Sequence, residues 1–141
     1  MTVHLIKLCV GAESITDLAE WQAERLAEKK RARQPQEILH ITRSTPARAQ
    51  DVLSGGSLYW VIKGYVCARQ RITELRPVTK NGQPHCALVL DPEIIRVAPR
   101  AHRPFQGWRY LDASAAPADL SSSTADMSEK LQRELAAAGL L

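Results

Sequence analysis

The 141 residues carry 19 Lys/Arg against 15 Asp/Glu, a net charge of +4, and 45% of them are hydrophobic. A chain of this size buries a core within one domain without disulfide staples, and no apolar run reaches the length of a membrane-spanning helix. The three cysteines, Cys9, Cys67 and Cys86, are odd in number and sit among apolar neighbours. They read as reduced core fillers of a cytoplasmic protein, not as a disulfide framework. No Cys-x-x-Cys or His-x-x-x-His pair is present, and His85-Cys86 with Cys67 is the nearest approach to a ligand set, so neither a metal nor another cofactor is expected.

The opening Met1-Thr2-Val3-His4-Leu5-Ile6-Lys7 has no basic region before an apolar stretch and reads as a strand instead of a secretory signal. Val3–Val10 is that strand, closed by Gly11. Ser14 caps a helix whose first turn holds Asp17, and Ile15, Leu18, Ala19, Ala23 and Leu26 share one face. Lys29-Lys30-Arg31-Ala32-Arg33 closes it where cations are favoured, and Pro35 ends it. A strand over Glu37–Thr42 follows, then a short helix opened by Thr45-Pro46 and stopped by Gly55-Gly56.

Leu58 to about Arg76 reads as one long β segment with a bulge or bend at Gly64. Asn81-Gly82 tolerates positive φ at both central turn positions, which predicts a tight hairpin into Cys86–Leu90. Short strands follow at Ile94–Val97 and Trp108–Leu111. The expected fold is α+β: a curved sheet or pseudobarrel of five to seven strands, two main helices inserted early, and a short C-terminal helix. Residues 1–112 form the domain, and 113–127, rich in Ala, Ser, Pro and Asp, form a linker. Residues 128–141 form a helix capped by Ser128, whose docking on the domain the sequence leaves open.

Charge is unevenly placed. Residues 40–110 carry eleven Lys/Arg and four acids, a net +7, whereas residues 1–39 are neutral and residues 111–141 carry −3. A basic block of this kind is the footprint of a polyanion partner. Within it, strand alternation places Trp60, Ile62, Val66, Ala68 and Ile72 on one face and Tyr59, Lys63, Tyr65, Arg69 and Arg71 on the other. The second face pairs aromatic plates with cations, the combination that stacks bases and holds phosphates. A second basic aromatic cluster comprises Arg100, His102, Arg103, Phe105, Trp108 and Arg109.

Catalytic signatures are absent: Ser57 follows Gly55-Gly56 without a nucleophile elbow, and Gly55-Gly56 lacks the Lys-Ser/Thr of a phosphate loop. The leading expectation is an RNA- or nucleic-acid-binding accessory protein, with no membrane partner. Two alternatives stand beside it. One is a small-molecule enzyme acting on a base or nucleoside, with Lys63, Glu74 or Ser57 taking part; the other is a protein-interaction module using the C-terminal helix.

Leu53-Ser54-Gly55-Gly56-Ser57-Leu58-Tyr59-Trp60-Val61-Ile62-Lys63-Gly64, Leu88-Val89-Leu90-Asp91-Pro92 and Arg103-Pro104-Phe105-Gln106-Gly107-Trp108-Arg109-Tyr110-Leu111 resemble an uncharacterised bacterial family, domain of unknown function 1489. More loosely, the order of Asp51–Gly55, Tyr59–Ile72 and Gly107–Leu111 resembles PUA-like domains of the ASCH group. That likeness implies a pseudobarrel of a kind that often binds RNA or modified bases. Hydrolytic members place a Lys soon after the helix-ending Gly, where Gly56-Ser57 stand here, so no amidohydrolase activity is carried over.

Overall fold

The computed structural model describes residues 1–121 and 126–141. Its elements run β1 (Val3–Leu8), α1 (Ile15–Arg31), β2 (Ile38–Thr42), α2 (Ala49–Leu53), β3 (Ser57–Ile62), β4 (Tyr65–Lys80), β5 (Gln83–Leu90), β6 (Ile95–Ala101), β7 (Trp108–Asp112), a 3₁₀ turn (Ala113–Ala115) and α3 (Glu129–Ala137). The seven strands among the described residues form one sheet ordered β2-β5-β4-β3-β1-β7, with β6 also pairing to β4. β1 and β3 are parallel; every other pair is antiparallel. The fold is therefore α+β, on an open, curved sheet in which β2 and β7 remain unpaired ends.

Local signals account for most of these elements. The Ser14 hydroxyl accepts from the Asp17 amide, and Lys29, Lys30 and Arg31 occupy the last turn of α1, where the helix dipole favours cations. Asn81 and Gly82 both have positive φ, as their turn requires. The turn at Lys63-Gly64 has the same geometry, with φ of 51° and 80°. Leu58–Arg76 is thus a hairpin of two strands, β3 and β4, and not one strand bent at Gly64. β4 is then long enough to pair with β5 over Ile72–Lys80 and with β6 over Tyr65–Arg69.

Face assignment follows from alternation, with one shift. Leu5, Leu58, Trp60, Ile62, Ala68, Ile72 and Leu88 form the main core against Ile15 and Leu18 of α1. Ile6, Tyr59, Val61, Val66, Val97 and Phe105 form a second core on the opposite face. Val66 therefore lies with Tyr59, away from Ala68, because the pairing register slips between Val66 and Ala68. On α1 the buried positions are Ile15, Leu18 and Gln22; Ala19 and Ala23 face outwards. Gln22 is buried because it exchanges two 2.8 Å hydrogen bonds with Gln70 of β4.

Residues 113–121 do not hang free. Ala118 accepts from the Ala98 amide at 2.8 Å, Leu120 donates to the Arg96 carbonyl at 3.0 Å, and Val97 bridges to Asp119. This strap lies along β6. Beyond it, the Glu129 carboxylate accepts from the Ile15 amide at 2.8 Å and stands 3.6 Å from Arg96, while Gln132 of α3 is buried.

Gly56 sits where α2 runs into β3. A Cβ there would overlap the carbonyl oxygens of Val52 and Val3, both backbone atoms that cannot turn aside. Gly56→Ala should therefore destabilise the fold by about 3 kcal/mol or more, read as a lowered urea midpoint. A midpoint within error of wild type would show that α2 shifts freely against β1.

Candidate functional site

The curl of the sheet defines the site. β2 and β3 are three strands apart, which is about 14 Å in a flat sheet, yet the His40 and Trp60 ring centroids stand 5.1 Å apart, edge to face. Further round, Trp108 of β7 donates through Nε1 to the Ser44 carbonyl at 3.0 Å, and the Arg48 amide donates to Tyr110 Oη at 3.1 Å. The segment after β2 thus reaches the far end of the sheet through two side-chain bonds and no ladder. Between the two ends lies a cleft of about 750 Å³.

Trp108 and Tyr110 face this cleft because they alternate with outward-facing Arg109; their rings meet edge to face at 5.0 Å. Lys7 of β1 is in register with Trp60 on one side and Trp108 on the other. Arg43, Gln106, Thr42, Ser44 and Thr45 complete the polar lining, and Arg48 holds its guanidinium 5.7 Å from the centre of the Tyr110 ring while pairing with Asp51. The eleven lining residues include two cations and no carboxylate. Neither Lys7 nor Arg43 has an acidic partner among the described residues. A cleft with uncompensated cations and partly exposed aromatic rings can hold an anion beside a planar ring.

The structure distributes the ten residues singled out in the sequence over several places. Tyr59, Arg69, Phe105 and Arg109 share the second-core face. Tyr59 and Phe105 are 4% and 8% exposed, however, so their rings are packed instead of offered to a ligand. Burial pushes the Tyr59 phenol pKa up, against the opposing effect of Arg69. Arg69 makes a two-pronged contact with Asp119 of the strap at 2.8 and 2.7 Å and donates to the Ser57 hydroxyl at 3.0 Å. That pairing holds the Asp119 carboxyl below the usual carboxylate range. Arg109 lies 4.9 Å from the centre of the Phe105 ring.

Lys63 pairs with Glu13 at 3.0 Å in the β3–β4 turn, and Arg133 of α3 stands 6.0 Å from the Tyr65 ring centre. Arg100 donates to the Ala115 carbonyl. Arg71 and Arg103 are exposed. Trp108 alone of the ten lines the cleft. Tyr110 belongs to the same basic aromatic stretch of the sequence, Arg100–Leu111, whereas nothing local in the sequence marks Lys7, Arg43 or Arg48.

The enzymatic pairing considered from sequence is not assembled. Lys63 is held by Glu13, Glu74 lies 2.8 Å from Arg76 on the distal half of β4, and Ser57 is fully buried. Burial also pushes the Cys9 and Cys67 thiols up, to about 11 and about 12, which makes both poor nucleophiles at neutral pH. Among the described residues no three His, Cys, Asp or Glu side chains cluster as a metal site, and no helix is long and apolar enough to cross a membrane.

The protein is thus an α+β domain built on a curled, open mixed sheet with an acid-free aromatic cleft between its ends. Its sequence matches the family described as "Protein of unknown function (DUF1489)" over residues 5–141, and the chain belongs to that family. No curated protein and no solved structure matches it.

Two expectations follow from the geometry. Arg69→Ala should cost about 1 kcal/mol or less, as partly exposed pairs do. It should also speed amide hydrogen exchange at Ala98 and Leu120, which bond to and from the strap; unchanged exchange would show that Arg69 does not hold the strap. His40 supplies the second. Burial, reinforced by Lys7 and Arg25, depresses its pKa to about 4. Between the unfolded value near 6.5 and 4 the unfolded chain binds a proton that the folded chain refuses, so stability falls as pH falls through that window. The urea-derived stability should drop by about 2 kcal/mol more in wild type than in His40→Phe between pH 7.5 and 5. Equal drops would mean that His40 protonates without penalty.

Proposed function

We propose that this chain binds nucleic acid, with the cleft between β2 and β7 receiving unpaired nucleotides. The observation that carries the reading is the acid-free cleft itself, in which Lys7 and Arg43 stand beside the partly exposed Trp108–Tyr110 pair. Aromatic edges next to unpaired cations suit bases that have left a helix, because each base has a stacking face and each phosphate a charge to neutralise. Arg109 and Arg103, outside the cleft near β7, extend the basic surface for flanking phosphates. Duplex recognition through a groove is less suited: no described helix presents a row of basic and amide side chains for base edges.

Fluorescence anisotropy with single-stranded and structured RNA tests this. Affinity for single strands should fall about tenfold or more between about 50 and 200 mM salt, and Lys7→Ala and Arg43→Ala should each lower the salt slope by roughly 0.7. Trp108→Ala should weaken binding by roughly 1–3 kcal/mol while leaving that slope unchanged, since it removes stacking and no charge. No binding at low salt would end the reading.

A further inference from the structure

A second, smaller space of about 140 Å³ lies beneath α1, walled by Trp21 and Leu18 of the helix and by Trp60, Ile38 and Leu90 of the sheet. A hollow of roughly 150 Å³ with apolar walls accepts a benzene ring, so this one has room for a single planar ring.

The polar groups around it are almost all accounted for. Gln70 accepts from Gln22 and from Trp60 Nε1 and donates to Gln22 and to the Asp91 carbonyl, which uses its whole carboxamide. His40 is the exception. Among the described residues its Nε2 is the buried side-chain nitrogen or oxygen without a partner, and its Nδ1 makes no hydrogen bond either. His40 is itself one of the residues lining the space, so its imidazole is the unsatisfied polar group nearest an occupant. Two cations, Lys7 and Arg25, also line the space, and neither is paired with a carboxylate among the described residues.

We infer that this cavity seats one planar nitrogen heterocycle between α1 and the sheet, hydrogen-bonded to the His40 imidazole, with an attached anionic group held by Lys7 and Arg25. That is the chemistry of a single nucleotide. Choosing a nucleotide among heterocyclic anions rests on the reading of the neighbouring cleft, with which the cavity shares Lys7. The cavity, its orphaned imidazole and its cations are independent of that reading.

The test titrates the full chain with each of the four ribonucleoside 5′-monophosphates and, separately, with single-stranded RNA, following the His40 ring nitrogens by ¹⁵N NMR in the wild-type protein. At least one monophosphate should move the His40 resonances saturably. His40→Phe, which keeps a ring and removes its nitrogens, should weaken that nucleotide about tenfold, the worth of one hydrogen bond. Arg43→Ala should leave monophosphate binding intact while weakening RNA. If RNA binds and no monophosphate moves His40, the cavity inference is overturned and the cleft reading stands. If a monophosphate binds and RNA does not, the cavity stands and the cleft reading fails. If nothing binds, both fall. Equal monophosphate affinity in a folded His40→Phe variant would remove His40 from the site.

Discussion

A sheet whose ends nearly meet has to be held curled from its concave side, and a single carboxamide does much of that holding. Gln70 of β4 is fully buried and ties together α1 through Gln22, β3 through Trp60, and the turn after β5 through the Asp91 carbonyl. Each of its four hydrogen-bonding positions is used, so its burial carries no unpaid desolvation. Fixing Trp60 in this way also fixes the surface on which His40 rests edge-on, and with it the distance from β2 to the rest of the sheet. Cleft and cavity both follow from that curvature.

Part of the basic excess of the middle of the chain is met in space by acids from outside it. Glu13 meets Lys63, Glu37 meets Arg76, Asp119 meets Arg69, and Glu129 approaches Arg96. Charge partition along the sequence therefore overstates the field of the folded surface. The cations left without carboxylates carry the electrostatic argument instead, and Lys7, from the segment that is neutral overall, is among them.

What could be read from the sequence was mainly local. Ser14, the basic last turn of α1 and the Asn81-Gly82 turn declare themselves through backbone preferences that act within a few residues. The Lys63-Gly64 turn does not, because a lysine at positive φ is uncommon and only the pairing of β3 with β4 enforces it. Gln22 escaped notice because a polar residue looks like a solvent position until its partner, 48 residues away, is known. The cleft was hidden for the same reason: Ser44 and Trp108 are 64 residues apart and meet only after the sheet has curled. Strand alternation also split what looked like one cluster, sending Trp108 and Tyr110 to one face and Arg109 to the other.

An open sheet that almost closes has a degree of freedom that a closed barrel lacks. In a barrel, strand number and stagger fix the circumference. Here the gap between β2 and β7 is spanned by the Trp108–Ser44 and Arg48–Tyr110 hydrogen bonds and by the Arg48 guanidinium over the Tyr110 ring. Each such bond contributes on the order of 1 kcal/mol net. The width of the mouth is therefore set by a few side-chain contacts, where a barrel would set it by a ladder.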